Sequence, residues 1–165
     1  MKMRELLLGL SAAVHIFAAI VWIGGIFFIL FVAIPAARKN LEQPGKLLGA
    51  LGKRFTPWAN TSILLLFVTG ILMSLSTQSF SETASLDSPW SRALSAKIFL
   101  VLIMAGIHFY RGWVLAPRIA KVTAAGINQE KAASLQKMSL NLVKVNFLFA
   151  LAVFLITGAL YAHWV

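Results

Sequence analysis

Three histidines and five methionines, with no cysteine, are the soft and borderline metal-binding side chains of this sequence. Met104 and His108 stand four residues apart, so a helix puts them on one face, one turn from each other. Lys97 and Arg111 extend that stripe at helical spacing in the two directions. A thioether beside an imidazole suits Cu(I), and the same pair can serve haem iron. His15 opens the stretch "HIFAAIVWIGGIFF", where the indole of Trp22 is the one other polar group. Two roles stay open for it: donating a hydrogen bond to a carbonyl or hydroxyl on a neighbouring helix, or ligating a metal ion or haem iron. His163, close to the C-terminal end, is read as an interfacial histidine with a ligand role as its alternative. Lys97 either snorkels outward or pairs with an anionic group such as a haem propionate, and Arg92 is placed for the second role too. Arg111 lies near the other end of its segment, directed at headgroups.

The elements that carry these residues are helices in lipid. The chain of 165 residues is 59% hydrophobic and 12% charged, where soluble domains carry about a quarter charged residues. Four apolar segments run over about 6–34, 57–76, 93–116 and 141–163. Each reaches the ~20 residues that cross ~30 Å of hydrocarbon at 1.5 Å per residue. The expected fold is an all-α integral membrane protein, one four-span domain over residues 1–165 forming a four-transmembrane-helix bundle. The basic, apolar opening "MKMRELLLGLSAAVHIF" is read as a retained first span, because the apolar run continues and the small-residue cleavage pattern is weak. Absence of cysteine excludes disulfides and thiolate metal sites.

The net charge of +10 is distributed by loop. Residues 35–56 carry Arg38, Lys39, Lys46, Lys53 and Arg54 against Glu42, and residues 117–140 carry Arg118, Lys121, Lys131 and Lys137 against Glu130. Between the second and third spans, Glu82 and Asp87 face Arg92. Basic loops stay in the cytoplasm, which predicts both termini outside a bacterial-type cytoplasmic (inner) membrane, although Lys2 and Arg4 sit against that scheme. The charge thus reads as a topology signal with attraction to anionic lipid, and nucleic acid is not an expected partner. Trp58, Trp90, Trp113 and Trp164 fall near span ends as interfacial anchors, whereas Trp22 is mid-span. Pro44 opens "PGKLLGALGKRF", where Leu47, Leu48, Leu51 and Phe55 share a face, predicting a short helix lying on the inner surface.

Shifted by 82 residues, 16–39 aligns without gaps on 98–121: Ile16 falls on Ile98, Phe17 on Phe99, Gly24 on Gly106, Phe27 on Phe109, Pro35 on Pro117 and Lys39 on Lys121. Thr69-Gly70 and Thr157-Gly158 align the second and fourth spans at a shift of 88. Two parallel-related helical hairpins, an internal repeat, are therefore expected. In that register His15 pairs with Lys97 and Trp22 with Met104, while His108 lies eleven residues deeper than His15, ~16 Å along a straight helix. His15, Lys97 and His163 then form an outer layer, and Met104 with His108 an inner one. Gly24, Gly25, Gly70, Gly106 and Gly158 are expected to allow close helix contacts or to leave room for a flat macrocycle.

The spans hold no Asp or Glu apart from Glu5 at the extreme edge, so a carboxylate proton relay is not expected. No phosphate-cradling glycine run and no nucleophile–base pair is present, so no catalytic residue is assigned. An enzymatic role would have to be that of a haem-dependent membrane oxidoreductase.

Two families are similar at the level of motif. "HIFAAIVWIGGIFF" resembles the His…Trp-x-Gly-Gly opening of the copper-resistance protein D (CopD) domain. "RFTPWANTSILLLFVTGILM" resembles its second span, and "SRALSAKIFLVLIMAGIHFYRGWVLAPRI" its Arg-x-Leu-x-x-Lys entry and its exit through Arg111, Leu115 and Pro117. The resemblance implies a four-span unit that moves copper across, or delivers it into, the cytoplasmic membrane. His15, Met104, His108 and His163 are then the candidate metal ligands. The HemJ-type four-span haem proteins are also similar, through the first-span His…Trp-x-x-Gly and through Trp90, Lys97 and His108 in that order. Ile29-Leu30-Phe31 stands where that family has Pro-Arg, and its Asn-Glu-x-Pro before the last span is missing. That resemblance implies haem b as the alternative cofactor, with His15 or His108 axial and Lys97 or Arg92 near the propionates. A third reading is a non-catalytic subunit. Membrane lipids, a second copy of the chain or a larger membrane complex are the expected partners.

Overall fold

A computed structural model of the chain describes residues 3–76, 86–125 and 129–162. Among them the regular structure is helical, with no strand. In order, the elements are α1 (Met3–Phe28), a π-helical turn π1 (Ile29–Ala33), α2 (Ile34–Asn40), α3 (Pro44–Ser76), α4 (Pro89–Tyr110), a second π turn π2 (Arg111–Leu115), α5 (Ala116–Ala125) and α6 (Gln129–Ala162). Four continuous helical stretches, Met3–Asn40, Pro44–Leu75, Pro89–Ala124 and Gln129–Ala162, are long and apolar enough to span a bilayer. The chain is a multi-pass membrane protein.

Local chemistry explains where these helices begin and change. Pro89 follows Ser88, whose Oγ accepts the Ser91 N–H at 3.0 Å while the Ser91 hydroxyl accepts the Ser88 N–H at 3.2 Å, a reciprocal N-terminal cap. The first stretch ends at Leu41, which is extended, and Asn40 Nδ2 donates to the Ala36 carbonyl at 2.9 Å. Each π turn lies just ahead of a proline, Pro35 or Pro117. A proline ring clashes with the carbonyl four residues back and offers no N–H. The turn ahead of it widens, so that the Ile34 N–H reaches Ile29 O and the Ala116 N–H reaches Arg111 O. The helix starting at Pro44 is not a separate surface element as expected: it runs through Pro57 into the second span as one 33-residue helix.

The contacts divide into two compact units, Met1–Arg92 and Ala93–Val165. In the first, α1 packs along α3, and α2 also meets α3. Its core is small and branched: Ala18, Trp22, Ile23 and Ile26 from α1, with Ala59, Ser62, Ile63, Leu66 and Thr69 from α3. The α3 residues recur at i, i+3, i+4, i+7 and i+10, one helical stripe. Ile16, Phe17, Ile20, Leu64 and Val68 stay exposed, as lipid-facing side chains do. In the second unit, α5 and π2 pack against α6. Met104, Ala105 and Leu115 are buried, as are Val143, Asn146, Ala150 and Val153 at heptad-like spacing on α6.

Candidate metal centre

His15 lies twelve residues into α1, partly buried, and its Nδ1 is 2.8 Å from Thr69 Oγ1 on α3. Thr69 is itself buried, and its hydroxyl bonds back to the Leu65 carbonyl at 2.5 Å, with the Leu66 carbonyl 3.5 Å away. A hydroxyl has one proton. That proton can serve the backbone or His15 Nδ1, so which of the two side chains donates across the 2.8 Å contact depends on the ring tautomer. Gly70 continues the cradle: a Cβ there would lie 3.6 Å from His15 Cε1, an ordinary contact. Seven residues past His15, Trp22 is 1% exposed.

In the second unit, the stripe Lys97, Met104, His108 and Arg111 is the sheltered face of its helix. Met104 is 1% exposed, and the other three are partly buried. Ile98, Phe99, Leu102, Tyr110 and Trp113 are exposed on the opposite side. The His108 ring meets Phe109 edge-on at 5.5 Å, and Phe109 stacks on Trp113 at 4.7 Å. Arg111 does not extend freely towards headgroups: its Nε donates to the Ser139 carbonyl and lies within reach of the Ser139 hydroxyl, both at 3.2 Å. Arg92 is exposed in the first turn of α4, and its N–H donates to the Ser88 carbonyl. His163 lies outside the described residues.

Thus His15 meets Thr69 and Gly70 in one unit, and Met104, His108 and Arg111 share a face in the other. Among the described residues no three His, Cys, Asp or Glu side chains converge. Thr69 and Ser139 were not singled out as partners from sequence; a threonine directly before a mid-span glycine was the available signal for the first. Of the five mid-span glycines, Gly25 makes the tight contact, against the Phe55 ring, whereas Gly24, Gly106 and Gly158 face open space.

A scan against protein families matches residues 49–160 to the model described as Copper resistance protein D. Searches of curated proteins and of solved structures gave no significant match.

Proposed function

Because the chain belongs to the copper resistance protein D family, we propose that it handles copper at a cytoplasmic membrane, transporting the ion across or delivering it into the bilayer. The observation that carries this reading is His15, an imidazole within an apolar span whose Nδ1 lies 2.8 Å from the Thr69 hydroxyl. Metal-binding histidines are commonly fixed through the opposite ring nitrogen in this way. Met104 and His108 supply a second pair, on the other unit, whose soft sulfur and imidazole favour Cu(I). Neither station contains a carboxylate. They hold a monovalent soft cation without the strong attraction of a carboxylate, and so allow it to leave.

Basic residues in 35–56 and 117–140 would orient the protein with both termini outside. The protein is further read as an internal duplication. Both π turns occur at the same shift of 82, at 29–33 and 111–115. The aromatic pairs Phe27–Phe31 and Phe109–Trp113 repeat at that shift too.

The test is metal content and absorbance of the full chain purified in mild detergent. Stoichiometric Cu(I) in the wild type, lost in His15→Ala, is the expected result. Full copper binding by His15→Ala would remove the ligand assignment. A Soret band that shifts on dithionite reduction would replace copper with haem b.

A further inference from the structure

We propose that Thr69 is a positioning residue: it locks His15 in the Nδ1–H tautomer and thereby assigns Nε2 as the atom that meets the metal. The proposal deepens the copper reading and rests on it. Its basis is a chain of single-proton donations. The Thr69 hydroxyl gives its proton to the Leu65 carbonyl, so toward His15 it can only accept, and the 2.8 Å contact at Nδ1 requires the ring proton there. Thr69 is 5% exposed, which limits competition from water at its hydroxyl.

The second hairpin supplies an internal comparison. Thr157, matched to Thr69, makes the same back-bond, to the Val153 carbonyl at 2.7 Å. The position matched to His15 is Lys97, which has no tautomer to select. The back-bonded threonine is thus common to both hairpins, and the imidazole it can orient belongs to the first alone. At this position the first half of the duplicated frame carries an imidazole, and the second keeps the threonine frame with a lysine in its place.

The experiment uses the full chain in detergent micelles with ¹⁵N-labelled histidine, read by the two ring-nitrogen shifts of His15, together with Cu(I) affinity by competition with a chromogenic chelator. Wild type is expected to show a protonated Nδ1 and an unprotonated Nε2. Thr69→Val keeps the shape and removes the acceptor; it should mix the tautomers and weaken Cu(I) binding about 10- to 100-fold. Thr69→Ser restores both the hydroxyl and the back-bond, and should recover tautomer and affinity together. If Thr69→Val binds Cu(I) like wild type while His15→Ala does not, the positioning role is overturned and the copper reading stands. If Thr69→Val weakens binding with the tautomer unchanged, its effect is merely structural and the proposal fails. If His15→Ala also binds like wild type, the ligand reading itself fails and takes the proposal with it.

Discussion

Replacing Gly24 and Gly25 by alanine, one at a time, tests the packing of the first hairpin at a single contact. A Cβ on Gly25 would lie 2.2 Å from Cε2 and 2.3 Å from Cζ of Phe55, whereas one on Gly24 meets nothing within 4 Å. The Phe55 ring would have to retreat by about 1.2 Å to reach ordinary contact at 3.4 Å. Overpacking of that kind costs about 1–3 kcal/mol. Both variants also exchange glycine for alanine within a helix, a gain of about 0.8–1 kcal/mol wherever the new methyl is unhindered. Comparing the two variants cancels that gain and isolates the clash. Gly24→Ala is therefore expected to be as stable as wild type or more so, with Gly25→Ala less stable than Gly24→Ala by about 1–3 kcal/mol. The assay is reversible unfolding in mixed micelles, followed by far-UV circular dichroism. Repeating the pair in a Phe55→Ala background should shrink the difference to within about 0.5 kcal/mol, because the obstacle is gone. Equal stabilities of the two single variants, or a difference that survives removal of Phe55, would refute this account of the contact.

Two further outcomes follow from the second unit. Arg111→Lys keeps the charge and loses the Nε donor to Ser139, so unfolding should become easier by about 1–3 kcal/mol; Ser139→Ala, which leaves its carbonyl in place, should cost only about 0.5–1.5 kcal/mol. A larger loss in Ser139→Ala than in Arg111→Lys would reverse that ordering and count against the carbonyl as the main partner. Asn146 is 2% exposed, and its Oδ1 has no hydrogen-bond partner among the described residues. Asn146→Leu, of similar shape, is expected to leave stability unchanged or raise it by up to about 1–3 kcal/mol, and thermal unfolding showing a clear loss would mean that this oxygen has a donor after all.

The features legible in the sequence are those that depend on one helix at a time. Four spans, the start at Pro44 and the sheltered stripe from Lys97 through Met104 and His108 to Arg111 follow from length and 3.6-residue periodicity. Features needing two helices in register were hidden. His15 has a hydroxyl partner because Thr69 happens to stand opposite, and no pattern within 3–28 carries that information. Gly24 and Gly25 are indistinguishable as letters, and the position of Phe55 separates them. The helices also extend beyond the apolar segments, for a different reason. Hydropathy falls off near Lys53 and Lys137, yet α3 and α6 continue through those residues. Backbone hydrogen bonding does not stop where the apolar stretch does.

The two wide turns at 29–33 and 111–115 change how the faces of these helices must be counted. A bond closing five residues back takes in one residue more than the usual four. At 3.6 residues per turn, one residue is about 100° of rotation. Any helical wheel drawn straight through either turn therefore misassigns everything beyond it by roughly a quarter of a circle. The sides of α1 and α4 that hold Trp22 and Met104 cannot be extrapolated to Arg38 and Lys39 or to Arg118 and Lys121. Deleting a single residue inside either wide turn has the converse effect. The later side chains return to the count of a regular helix, but the shortened turn can close as an ordinary α-turn only against the clash of the Pro35 or Pro117 ring.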